Sequence, residues 1–465
     1  MQIVVAMAGL AAAVWLAVVA RRTSLLALLL AVLVIGYVAG DTLWNAKLGP
    51  VPLTFDRLFL LAAGVLFIVH WRWGALPPLR IMPVDWAVVA TVTWLTLSAV
   101  WNRAADGVLP EPPLGRLLAS YWIPTAVYFL ARRVTLDARI LTQLLVALTC
   151  LGSYLALTAL AESAELWAFV FPRYIVDPTL GLHFGRARGP ALNSVSLGVY
   201  LSICLWATWL LRPRLSRPMQ LAMFALMALM AVGVFLTYTR STWLGFTLSG
   251  LVVMALQLPR SWRLPATGAA MAAAVLILPF AWGQLMGLKR EGSASESRHS
   301  VSQRAAFTYV SWQMFKDHPL AGVGFGRFYD QKLPYLSDRS QSFELESIRG
   351  LHHHNTFLGL LTETGLVGLA AYCAMLVGWG RSAWRLTRLG DRTNSDRQLG
   401  VLALATLAVY LPSALFHDLS HLPNEQVVLF LIAGLTVAAE SSRVVAMAPA
   451  EARSTVEQFG SPVPA

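Results

Sequence analysis

Long apolar runs separated by short arginine-bearing segments make up most of this chain, and each run is apolar all round instead of along one stripe. Crossing the hydrocarbon of a bilayer takes about 17 to 25 predominantly apolar residues in a helix. Runs of that kind fall near residues 3–20, 24–40, 57–71, 85–101, 117–131, 140–160, 191–211, 219–238, 241–257, 266–285, 360–380, 399–416 and 425–440. The pattern therefore predicts an all-α, polytopic transmembrane helical bundle of about 12–13 spans, the lower figure holding if one short run is re-entrant. The first run has no basic stretch before it and Arg21-Arg22 behind it, so it reads as a retained span and not as a signal peptide.

Composition strengthens this reading. With 57% hydrophobic and 13% charged residues, the chain carries more apolar surface than cores of ordinary size can hide. Its 17 Trp and 12 Tyr suit a protein with many membrane interfaces. The net charge of +12 raises the question of nucleic acid, but the arginines are scattered between apolar runs and form no stripe, so no nucleic-acid partner is expected. Cys150, Cys204 and Cys373 all fall inside apolar runs, which leaves no disulfide framework and no Cys-x-x-Cys pair.

Alternate loops differ in basic residues. One set holds Arg21-Arg22, Arg72, Arg80, Arg132, Arg133, Arg139, Arg212, Arg214, Arg217, Arg260, Arg263 and the group from Arg381 to Arg397, and is assigned to the cytoplasm. The N-terminus is then outside and the C-terminus inside. The segment 286–355, about 70 residues, falls outside and is the one loop long enough for a small subdomain. Within it, Ser300 to Asp317 has apolar residues at near-helical spacing and predicts an amphipathic helix. The tail 442–465 is polar, rich in Pro, Ser and Gly, and expected to be disordered and cytoplasmic.

Candidate chemistry gathers on the outer side. His352-His353-His354-Asn355 closes the large loop just before a span. Three readings stand: a solvated interfacial cluster, a His-x-His metal site with few acidic partners nearby, or a general base that orients an acceptor. Arg186 and Arg188, Arg240, and Arg304 lie on the same side against the positive-inside bias. Each suits either interfacial snorkelling or recognition of an anion through the guanidinium fork. Asn193, Glu363 and the group His417, Asp418 and His421 are further polar positions at span ends. Gly322-Val323-Gly324-Phe325-Gly326 follows no predicted strand and reads as a tight turn, not a nucleotide cradle.

Three ordered pieces carry a family resemblance: TYTRSTWLGF around Arg240, the stretch from Arg304 through HPLAGVGFG to Phe328, and HHHNTFL followed by ETGLVGL from His352. Together they resemble the O-antigen ligase and O-antigen polymerase superfamily, over about Gly185 to Leu369. The resemblance implies a bundle like the type C glycosyltransferases, in three parts: N-terminal helices 1–185, a ligase or polymerase domain 186–441 that includes loop 286–355, and the tail. It implies a multi-pass protein of the bacterial inner membrane that moves a glycan from undecaprenyl pyrophosphate to lipid A core or another glycan acceptor at the periplasmic face. It implies neither metal nor other cofactor. Arg240 and Arg304 match the arginines that would hold the pyrophosphate, and His354, beside Asn355, matches the histidine that would activate the acceptor. Here His353 stands where the family more often has a small residue, so His352 and His353 share candidacy. Arg186, Arg188, Asn193, Asn355 and Glu363 complete the expected substrate-binding set. A transporter or flippase for the same lipid-linked glycans is the rival from another class; it would need charged residues deep within several spans, whereas most here lie at span ends. A membrane scaffold without chemistry would leave the histidines and outer arginines unexplained.

Overall fold

The computed structural model describes residues 23–48, 51–102, 113–259, 294–341, 343–389 and 394–447, with scattered positions from 261 to 272. The candidate spans near 3–20 and 266–285 and the tail beyond 447 lie outside the described residues, whereas helix α12 below continues to Met447, past the expected start of the tail at 442. The other eleven candidate spans are all helices. They are α1 (Leu25–Leu43), α2 (Phe55–Arg72), α3 (Pro83–Trp101), α4 (Pro113–Leu117 continued through a π-turn by Ile123–Ala131), α5 (Ala138–Ser163), α6 (Ser194–Leu211), α7 (Arg217–Leu236) and α8 (Arg240–Gln257). The loop helix α9 (Ala294–Asp317) and the three closing helices α10 (Thr356–Thr387), α11 (Ser395–Phe416) and α12 (Pro423–Met447) follow. Seven of the described helices are long and apolar enough to cross a bilayer, and the chain is a multi-pass membrane protein. A two-stranded hairpin, Ala46–Leu48 with Val51–Leu53, joins α1 to α2.

Caps set many of the helix starts. Ser24, Asp137, Asn193, Asn355 and Asn394 each accept backbone N–H bonds from the first turn that follows, satisfying donors that have no partner within the helix. Burial then sorts the helices. The α6 span is 89% buried and the α12 span 94%, so these two form the centre; the α7 span is 17% buried and turns its apolar surface outward. Small residues let backbones approach where water-driven association is weak. A Cβ on Gly245 of α8 would stand 2.9 Å from the Val409 carbonyl oxygen of α11, and one on Gly434 of α12 would stand 2.6 Å from that of Tyr128 in α4.

A buried ion pair fixes α4 to α3. Arg132 donates through Nε and Nη2 to the two oxygens of Asp85 at 3.0 and 2.9 Å, and Tyr128 Oη donates to the same carboxylate at 2.6 Å. Both charged side chains are nearly inaccessible. Asp85→Ala leaves the guanidinium without its counter-charge and is expected to cost about 3–5 kcal/mol. Thermal unfolding in detergent measures this, and an unchanged midpoint would mean that the Arg80 carbonyl and Ser441 hydroxyl, which Arg132 also reaches, are enough.

The large loop has its own core, as expected of a subdomain. On α9, Ala306, Phe307, Val310 and Met314 are buried, at helical spacing, against Phe328, Leu336, Leu345 and Ile348. The glycine-rich segment is a turn, with φ of +69° at Gly322, +110° at Gly324 and +80° at Gly326. Its partner is a break in α10, where Gly365 leaves helical geometry at φ 66° and ψ −168°. The backbone groups freed by that break are taken up by the turn. Val323 N–H donates to Thr362 O at 3.0 Å, Gly324 N–H to Glu363 O at 2.8 Å, and Leu366 N–H to Pro319 O at 2.9 Å. Trp94 Nε1 donates to Thr364 O at 3.0 Å. A broken helix within a bundle needs such replacement partners. Gly365 is required twice, by its positive φ and because a Cβ would lie 2.2 Å from Leu320 O.

Candidate active site

The loop before α6, the first turn of α8, the loop helix α9, the start of α10 and the connection from α11 to α12 come together at one end of the bundle. Lys332, whose side chain is fully buried, donates to the Leu351 carbonyl and lies over the rings of Phe328 and Tyr329 at 5.1 and 4.7 Å. It anchors the chain just ahead of the histidines. Burial, with Arg349 nearby, lowers the ammonium to about 8.

The three adjacent imidazoles then diverge. His352 lies between Tyr329 and His421, with ring centroids 5.0 and 4.9 Å away. His353 is buried and packs on Phe328 at 3.6 Å. Burial pushes its imidazole down to about 3, against the pull of Asp418, so it is a neutral packing group. His354 is exposed and stands edge-on to Phe307 at 5.1 Å. Its apolar surroundings and then the Arg304 cation hold it below the ordinary imidazole value. His354 is both open to solvent and under the influence of Arg304.

Arg304 projects from α9 with its guanidinium 5.6 Å from the Phe416 ring, at the end of α11. The next residue, His417, is bonded through Nε2 to Ser241 Oγ at 3.0 Å. Ser241 follows Arg240, which opens α8 and is exposed. Arg304, His354 and the turn bearing Arg240 are thus linked through His417. That imidazole is pushed down to about 3, first by burial and then by His354, His183 and Arg304.

Other expected ligand-binding residues have their polar atoms engaged within the protein. The Arg188 guanidinium is buried and donates to the carbonyls of Leu180, Ile175 and Asp177. Its backbone N–H and that of Gly189 donate to Glu162 at 3.1 and 2.9 Å, which ties the loop to the end of α5. Asn193 and Asn355 cap α6 and α10. Glu363 is ion-paired with Arg116 of α4. Arg116 also meets His421 Nε2 at 3.1 Å and lies 4.3 Å over Phe325 of the glycine-rich turn. His421 in turn stands 3.7 Å from Asp418. Burial alone would raise that carboxyl, but His421, Arg116 and His353 outweigh it and hold the carboxyl below the usual range. Arg186 is half-buried beside His183, and its cation helps to lower that imidazole to about 4, after burial.

Arg116, His183 and Lys332 were not singled out by sequence. Arg116 shares its span with no other charge before Arg132, a signal that could have found it.

Guanidinium groups of this kind bind anions, and a neutral imidazole can take a proton from a hydroxyl. Residues 224–373 match the family model described as O-antigen ligase. This segment contains Arg240, Arg304, the three histidines, Asn355 and Glu363. The chain is also 36% identical over 74 residues to the exopolysaccharide production protein ExoQ of Rhizobium meliloti (strain 1021), a match covering 15% of this chain and 17% of that protein. That match spans about a sixth of the relative's length. The loop subdomain, the break in α10 and the linked arginines all lie in the segment of this multi-pass membrane protein, residues 224–373, that matches the O-antigen ligase family model.

Proposed function

We propose that the protein is a membrane glycosyltransferase that moves a glycan from undecaprenyl pyrophosphate to an acceptor hydroxyl at the periplasmic face of the inner membrane, in a ligation onto lipid A core. What supports this reading is the meeting of Arg304, His354 and the Arg240 turn inside the family-matched segment. The acceptor oxygen attacks the anomeric carbon while the bond from that carbon to the pyrophosphate oxygen breaks, with inversion. The bond's electron pair leaves with the diphosphate, whose growing charge Arg240 and Arg304 balance. The proton of the attacking hydroxyl passes to the neutral imidazole of His354. Arg186 and His352 line the approach. Asn193, Asn355, Glu363 and Arg188 hold the walls through the bonds already described, and His353 does so by packing on Phe328.

A polymerase that uses a second lipid-linked repeat as acceptor is the alternative, favoured by the relative named for exopolysaccharide production. Incubating the purified protein with lipid-linked oligosaccharide, with or without lipid A core, separates the two. Ligation yields a product only when core is present, and a ladder formed without core reverses the assignment. Movement of the lipid to the other leaflet without any covalent product would replace both with a flippase.

A further inference from the structure

The first turn of α8 is held from two sides by imidazoles outside the family-matched segment. On one side, His183 Nδ1 is bonded to Ser194 Oγ at 2.9 Å, and Ser194 Oγ to Thr239 Oγ1 at 3.0 Å. On the other, His417 Nε2 is bonded to Ser241 Oγ at 3.0 Å. Thr239 and Ser241 flank Arg240, and they and Ser194 are buried. Just before them Tyr238 adopts a φ of +46°, a region sparsely occupied by residues with a side chain and kept only where surroundings impose it. The turn is further fixed by Thr239 Oγ1 donating to Thr237 O at 3.0 Å and Thr242 Oγ1 donating to Thr239 O at 2.8 Å.

We propose that His183, acting through Ser194 on Thr239, and His417, acting directly on Ser241, are positioning residues that hold the hydroxyls on either side of Arg240 and so aim its guanidinium at the donor diphosphate. The idea rests on the donor site proposed above. A turn held at one flank could still rotate about its neighbour; held at both, it presents Arg240 in one direction. Preorganisation of this kind removes an ordering cost that binding would otherwise meet. Neutral rings suit the task, since a neutral imidazole bonds a hydroxyl without adding a cation beside Arg186 and Arg304. Both rings are held neutral, His183 at about 4 by burial and then Arg186, Arg188 and His354, and His417 at about 3 by burial and then His354, His183 and Arg304.

The test is a double-mutant cycle on the full-length protein in nanodiscs, read as affinity for undecaprenyl pyrophosphate without glycan. His417→Phe, Ser241→Ala and His183→Leu are each expected to weaken binding about tenfold, the scale of one lost hydrogen bond. His417→Gln and His183→Asn place an amide where the bonding ring nitrogen stood and are expected to recover most of the affinity. In an Arg240→Ala background, His417→Phe should cause no further loss, because there is nothing left to aim. Equal loss in both backgrounds, or failure of the amide variants to rescue while melting normally, overturns the positioning role. If Arg240→Ala itself binds the lipid as the wild type does, the donor site falls, and the clamp with it.

Discussion

Arg304→Ala is expected to slow glycan transfer by about 10²–10³-fold while leaving the protein folded and inserted, as is usual when one preorganised donor to a developing anion is lost. The guanidinium lies at the rim of the loop subdomain, whose core is built from the neighbouring residues of α9, so its removal costs the fold little. Arg304→Lys keeps the charge and loses the planar fork, and should recover only part of the rate. Transfer in proteoliposomes, paired with a melting curve, gives both readouts. Wild-type turnover in the alanine variant would take Arg304 out of the pocket.

His354→Ala should lower turnover by about 10²–10⁴-fold, the range for loss of a general base, with donor binding largely kept. Its pH profile carries the sign. A base works unprotonated, and desolvation by its apolar surroundings, then the Arg304 cation, hold this imidazole below its ordinary value of 6.5. The rate should therefore stay level as pH falls through 6.5 and decline only at lower pH. In Arg304→Gln the remaining activity should begin to fall at higher pH, since the ring then keeps its proton more readily. An acid limb that does not move would separate the two side chains.

The spans were legible because lipid imposes a length and a composition that each run must meet on its own. The subdomain was legible for a similar reason, since Ala306, Phe307, Val310 and Met314 repeat at helical spacing within one short stretch. The candidate site was less so. Arg188, Glu363, Asn193 and Asn355 drew attention as polar residues at span ends, but a sequence does not show which carbonyl or guanidinium lies within reach. Arg188 finds three carbonyls up to 13 residues earlier in the chain, and Glu363 finds Arg116 from 247 residues away. His417 stood out only as a polar position at the end of a span; its bond to Ser241 joins residues 176 apart, and only folding brings them together. The three histidines look equivalent as a run. Their differences arise from Phe328, Phe307, Tyr329 and His421, which separate one buried ring, one exposed ring and one ring flanked at a tilt by two others.

The break in α10 also constrains how a lipid substrate gains entry. Segment 319–324 supplies the bonding partners that the interrupted helix lacks, so lifting it would expose bare amides and carbonyls to hydrocarbon. The extramembrane cap is in effect riveted to a spanning element and cannot swing away as a free flap. The tail of the lipid-linked donor proposed above would then have to arrive sideways, parting helices such as the sparsely covered α7 instead of opening the roof.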